Sequence, residues 1–164
     1  MVAAVDVAGR KIGPGNPCFI IAEAGVNHNG DLELAHGLVE AAVNAGADAV
    51  KFQTFKAENL VTADAPKADY QKQTTDPAES QYEMIRRLEL SPEIHRTIKD
   101  YCRTRGILFM SSPFDEESAD LLADLGIKFY TAAINPIRGA RPKPFPGAFR
   151  WQGPSGKQVL AWNG

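Results

Sequence analysis

The sequence predicts an α/β fold in which successive βα units feed a parallel sheet. Three observations predict it. Between Cys18 and Tyr130, short apolar runs alternate with stretches of helical periodicity. Those runs are rich in β-branched and aromatic residues, as strands buried on both faces are. The chain has 164 residues and is 44% hydrophobic, the proportions of one ordinary globular domain.

Four strands are expected, over CFIIAEA (18–24), DAVKFQT (48–54), ILFMSS (107–112) and IKFYT (127–131). Between the first two, Ala35, Leu38, Val39, Ala42 and Val43 recur at helical steps, with Asp31 as the cap and Gly46 as the stop. A second helix begins at Ser91 with Pro92 in its first turn and Glu93 near the positive end of the dipole. It places Ile94, Ile98, Tyr101 and Cys102 on one face and stops at Gly106. A third runs from about Asp115 to Leu125, with Ala119, Leu122 and Leu125 inward and Gly126 as terminator. The polar stretch from Lys56 to Thr75 reads as a long βα loop of the kind that often serves as a lid or binding loop, followed by a helix-like run over 79–90.

Charge divides the chain near Tyr130. Up to that residue 13 basic side chains face 20 acidic ones, a net of −7; beyond it Arg138, Arg141, Lys143, Arg150 and Lys157 stand with no Asp or Glu. Two domains are therefore expected, residues 1–130 and a basic, Pro- and Gly-rich, β-prone tail over 131–164 with VLAW as a strand. No apolar run approaches the roughly 18 residues of a membrane span, and the N-terminal stretch lacks a signal-peptide apolar block, so the expected location is cytoplasmic. Cys18 and Cys102 form no CxxC pair and read as reduced packing residues. His36 and His95 read as surface or boundary positions, and none of the three histidines has a partner at metal-ligand spacing.

Polar residues gather where the strands end. The first strand ends at Glu23, the second presents Lys51 and Gln53 on one face, and the third ends in Ser111 and Ser112. A carboxylate, an ammonium, an amide and two hydroxyls at three successive strand ends are costly groups for a structural core and point to an anionic ligand. A plain Glu23–Lys51 ion pair within the sheet is the structural alternative. The loop VNHNGD adds backbone amides, Asn27 and His28 beside a helix N-terminus, an anion-friendly position that also fits a simple satisfied turn.

Three blocks carry a resemblance. FIIAEAGVNHNGDLELAHGLVEAAVNAGADAVKFQTFKAENL, YQKQTTDPAESQYEMIRRLELS and GILFMSSPFDEESADLLADLGIKFY occur in order. Together, over about residues 12 to 130, they resemble the N-terminal part of the N-acetylneuraminate (sialic acid) synthase family, most closely its sialic and legionaminic branch. The resemblance implies a (β/α)8 TIM barrel, of which this chain would hold the first three to four βα units, since a whole barrel takes about 250 residues. It implies condensation of phosphoenolpyruvate with an N-acyl amino-sugar aldehyde, with release of phosphate, aided by a divalent metal, manganese or magnesium. By motif, Glu23 corresponds to the family's essential carboxylate, Lys51 and Gln53 to its KFQT substrate-binding pair, and Ser112 to its phosphate-side hydroxyl; Asn27 joins them as a substrate-binding candidate.

After Tyr130 the family pattern stops: Thr131 stands where the family has a lysine, and its histidine metal ligands are expected to be missing from this chain. INPIRGARPKPFPGAF with GKQVLAW resembles instead the C-terminal segment of methionyl-tRNA and amino-sugar formyltransferases. The competing expectations are a non-catalytic truncated or fused fragment, or a small binding module acting through the basic tail; a nucleic-acid partner is not the favoured one. A half-barrel exposes strand edges, so a homo-oligomer or an aggregation-prone chain is expected.

Overall fold

The computed structural model describes residues 4–62, 80–127, 149–152 and 158–161. At its centre is a parallel sheet of three strands, β3 (Ile21–Gly25), β4 (Ala49–Thr54) and β5 (Leu108–Pro113), in the order β3-β4-β5. The registers pair Glu23 with Lys51, Lys51 with Met110 and Gln53 with Ser112. Each of the three described sequence-predicted strands thus exists, shifted by one to three residues at its start. The expected strand over 127–131 lies outside the described residues except for Ile127, as does most of the expected loop beyond residue 62.

Between these strands the helices follow their local signals. Helix α1 (Leu32–Asn44) is capped by the Asp31 carboxylate, which accepts from the Leu34 amide, and α4 (Pro92–Arg105) by the Ser91 hydroxyl, with Pro92 in its first turn. Asp115 caps α5 (Glu116–Asp124) in the same way. A short α2 (Ala57–Leu60) follows β4, and α3 (Gln81–Arg87) opens with a reciprocal capping box between Ser80 and Glu83. Helix α3 buries none of its own residues.

The three long helices share one apolar layer with a single face of the sheet. Ala35, Val39 and Ala42 of α1, Ile98 and Cys102 of α4 and Leu122 of α5 meet Val50, Phe52 and Phe109 from the strands. Phe52 and Phe109 stack with centroids 5.5 Å apart. Burying each large side chain here contributes about 1.5–3 kcal/mol. Outside this layer, Arg105 grips Glu40 through Nε and Nη2 at 2.6 and 2.9 Å, and the Tyr101 hydroxyl donates to the same carboxylate at 2.8 Å, tying α4 to α1. Those bonds, that of Arg105 first, hold the Glu40 carboxyl below its usual range.

A hairpin precedes the sheet. Strands β1 (Val5–Val7) and β2 (Arg10–Ile12) pair antiparallel across Ala8 and Gly9, both at positive φ, which gives the twist a two-residue hairpin needs. Arg10 forms an ion pair with Asp48, whose other oxygen accepts from the Ile20 amide at 2.7 Å. Cys18 corrects one expectation: it is exposed, because strand pairing begins only at Ile21, and only Cys102 is a packing residue. Within the tail, β6 (Phe149–Gln152) and β7 (Gln158–Ala161) form an antiparallel pair, so the VLAW stretch is largely a strand. No helix among the described residues is long and apolar enough to cross a membrane.

Candidate functional site

Side chains alternate across the sheet, so the face opposite the helices carries Glu23, Lys51, Gln53, Met110 and Ser112. Glu23 and Lys51 form an ion pair at 2.7 Å, with side chains 51% and 23% exposed. A pair so placed is worth at most about 1 kcal/mol, so an arriving anion can share or take the Lys51 ammonium at little cost. Gln53 and Ser112 stand opposite each other one step further along, Ser112 buried and Gln53 half-buried. Asn27 is exposed on the loop that leaves β3, its amide bonded to the Ala24 carbonyl.

A bulge shapes this face. The β3–β4 register slips between Glu23 and Gly25, and Gly25 sits at φ 56°. A methyl group on Gly25 would lie 3.7 Å from both the Gln53 amide nitrogen and Glu23 Oε1. The glycine thus leaves open the space that the amide and the carboxylate flank. Glu23 pairs with Lys51 and Gln53 stands opposite Ser112 toward the same end of the sheet, while Asn27 lies on the loop that leaves β3.

Ser111 parts company with them. Counted with Ser112 at the strand end in the sequence, it points to the opposite, helix-covered face and is fully buried there. Its hydroxyl lies 2.6 Å from Thr54 Oγ1, which is 2.8 Å from His95 Nε2. His95 also corrects an expectation: it is not a surface or boundary residue but has no exposure at all. It shares a face with Ile98 and Cys102 at steps of three and four, a stripe present in the sequence that a reading of histidine as polar passes over. His36 is half-buried, its ring 4.2 Å from that of Tyr101.

His28 is equally buried. Its Nδ1 accepts from the Gly30 amide at 3.0 Å, and its Nε2 has no hydrogen-bond partner among the described residues. Burial first, and His95 second, push its pKa down, which keeps the ring neutral. His28 thus braces the loop rather than presenting a charge to a ligand. Among the described residues no three His, Cys, Asp or Glu side chains converge to hold a metal.

A parallel sheet with helices on one face and a lysine, glutamine, serine and glutamate on the other defines an α/β protein with a cluster of polar side chains at its strand ends. Comparison with known proteins gives the family: the chain belongs to the NeuB family, whose model matches residues 38–137. Lys51, Gln53 and Ser112 fall within that match; Glu23 and Asn27 precede it. The chain is 58% identical over 111 residues to an N,N'-diacetyllegionaminic acid synthase of Legionella pneumophila, covering 68% of this chain and 31% of that protein. It is 52% identical over 112 residues to the enzyme of the same name from Campylobacter jejuni, covering 68% and 34%. Its fold matches the N-acetylneuraminic acid (sialic acid) synthetase of Leptospira borgpetersenii with a TM-score of 0.63 at 28% identity, over 79% of this chain and 41% of that one. The chain spans about a third of the length of the curated relatives it matches.

Proposed function

We propose that the strand-end face binds phosphoenolpyruvate, and that the chain represents the first βα units of a (β/α)8 nonulosonic-acid synthase that condenses it with an N-acyl amino-sugar aldehyde. The observation that carries this reading is the clustering of Glu23, Lys51, Gln53 and Ser112 on the sheet face opposite the helices in a member of the NeuB family. Phosphoenolpyruvate is a compact polyanion. Lys51 neutralises part of its charge, while the Gln53 amide and the Ser112 hydroxyl donate hydrogen bonds that orient it. Asn27, exposed on the loop that follows β3, adds a further donor.

In the condensation, C3 of phosphoenolpyruvate forms a bond to the aldehyde carbon, whose oxygen takes up a proton. Water then adds at C2, and the C2–O bond to phosphate breaks. Positive charge develops at C2 before water arrives, and the Glu23 carboxylate is placed to stabilise it. The relatives named as legionaminic acid synthases favour an acceptor of the N-acyl amino-sugar class.

The remainder of the reading concerns organisation. Residues 1–130 form the barrel part, and 131–164 a separate basic tail similar to the C-terminal segment of formyltransferases; the β6–β7 pairing supports its β-prone character. The edges of a partial barrel favour self-association of the chain.

Calorimetric titration of the purified chain with phosphoenolpyruvate, beside a Lys51→Ala variant, tests the site. Saturable binding that the variant loses by tenfold or more supports it, about 1.4 kcal/mol or above. A folded chain that takes up no phosphoenolpyruvate would leave the resemblance as ancestry and the chain as a non-catalytic fragment.

A further inference from the structure

Behind the proposed site, within the mainly apolar layer, lies a chain of hydrogen-bonded polar side chains. Thr54 and Ser111 are the neighbours of Gln53 and Ser112 in sequence, and they point to the opposite side of the sheet. Their hydroxyls meet at 2.6 Å across the β4–β5 pair, directly behind the place where Gln53 and Ser112 stand opposite each other. His95 Nε2 lies 2.8 Å from the Thr54 hydroxyl, and His95 Nδ1 lies 2.9 Å from the Ser91 carbonyl oxygen at the start of α4. All three side chains are at most 2% exposed.

Proton accounting gives this chain a direction. The Ser91 carbonyl can only accept, so Nδ1 carries the ring's hydrogen and Nε2 accepts. Thr54 must then donate to Nε2, and Ser111 must donate to Thr54. Burial, the largest influence, lowers the His95 pKa against the opposing hydrogen bonds to the Ser91 and Leu90 backbone, and the Lys56 charge acts in the same sense as burial, favouring the neutral ring. Aliphatic side chains at these positions would build the layer without the desolvation of three polar groups. A fully satisfied buried chain instead pins one strand register and one set of side-chain directions.

We propose that His95 is a positioning residue for the phosphoenolpyruvate site, acting through Thr54 and Ser111 to hold the ends of β4 and β5 so that Gln53 and Ser112 face the ligand together. The inference rests on the proposed function for its ligand, but the relay itself concerns only this chain's strand ends. It predicts that the hydroxyl of Thr54, rather than its volume, is what the site needs.

The experiment compares Thr54→Val, which keeps the shape and removes the hydroxyl, with Thr54→Ser, which keeps the hydroxyl and removes a methyl group. Two readouts are taken on the full chain: affinity for phosphoenolpyruvate, and NMR signals of the Gln53 side-chain amide and the Ser112 backbone amide without ligand. The expected result is roughly tenfold weaker binding and displaced Gln53 and Ser112 signals in Thr54→Val, with both near wild type in Thr54→Ser. Equal behaviour of the two variants, or a larger effect in Thr54→Ser, overturns the proposal and leaves a packing role. Should wild type bind no phosphoenolpyruvate, the proposed function falls, and the NMR comparison alone upholds or overturns the relay.

Discussion

Replacing Gly30 with alanine tests how the site loop is held in place. Gly30 lies at φ 77°, and a Cβ built on it would stand 2.3 Å from the Arg87 carbonyl oxygen, where ordinary contact begins at 3.4 Å. One of the two backbones must therefore retreat by about 1 Å. The left-handed conformation alone costs a non-glycine residue about 1–2 kcal/mol. Gly46 supplies the matching control, since it has nearly the same φ, 71°, with nothing within 4 Å of its added Cβ. Gly46→Ala should thus cost about 1–2 kcal/mol, and Gly30→Ala about 2–4 kcal/mol, the difference measuring the clash. Because α3 buries none of its residues, the clash is relieved most cheaply by lifting that helix off the loop. Urea unfolding gives the free energies, and trypsin cleavage after Arg86 and Arg87 reports the lifted helix. If Gly30→Ala is no more destabilising than Gly46→Ala and is cut no faster, the contact between the loop and α3 does not exist in solution.

Two further outcomes follow from burial. His28 and His95 both have pKa values lowered from 6.5 by desolvation, so the unfolded chain binds more protons than the native one as pH falls below 6.5. Their contribution to stability is complete above pH 6.5 and is lost as pH drops towards the depressed native values, with a slope of up to about 1.4 kcal/mol per pH unit for each ring; urea midpoints should fall in acid, and His95→Gln should flatten that fall. The Cys102 thiol, pushed up to about 12 by burial, should resist a thiol reagent in the native chain while exposed Cys18 reacts at once; two fast thiols without denaturant would contradict the packing of α4 against the sheet.

What the sequence determined by itself was everything that a few neighbouring residues decide. The caps Asp31, Ser91 and Asp115 were legible because each closes a hydrogen bond three residues along its own chain. Lys51 and Gln53 could be set on one strand face because alternation is a property of the single strand. The same rule, applied to β5, would have parted Ser111 from Ser112, and the stripe of His95, Ile98 and Cys102 would have placed His95 inside. The β1–β2 hairpin escaped the reading because each strand has only three residues, too few for a pattern.

Only the tertiary structure decided the rest. The relay from Ser111 through Thr54 to His95 and the approach of Gly30 to Arg87 join residues 41 to 57 positions apart, and the Glu23–Lys51 ion pair, which the sequence offered only as an alternative, joins residues 28 apart. Nothing local specifies such contacts. They depend on strand register, on the slip between Glu23 and Gly25 and on how the helices settle over a shared apolar layer, and each of these is set by packing across the whole sheet.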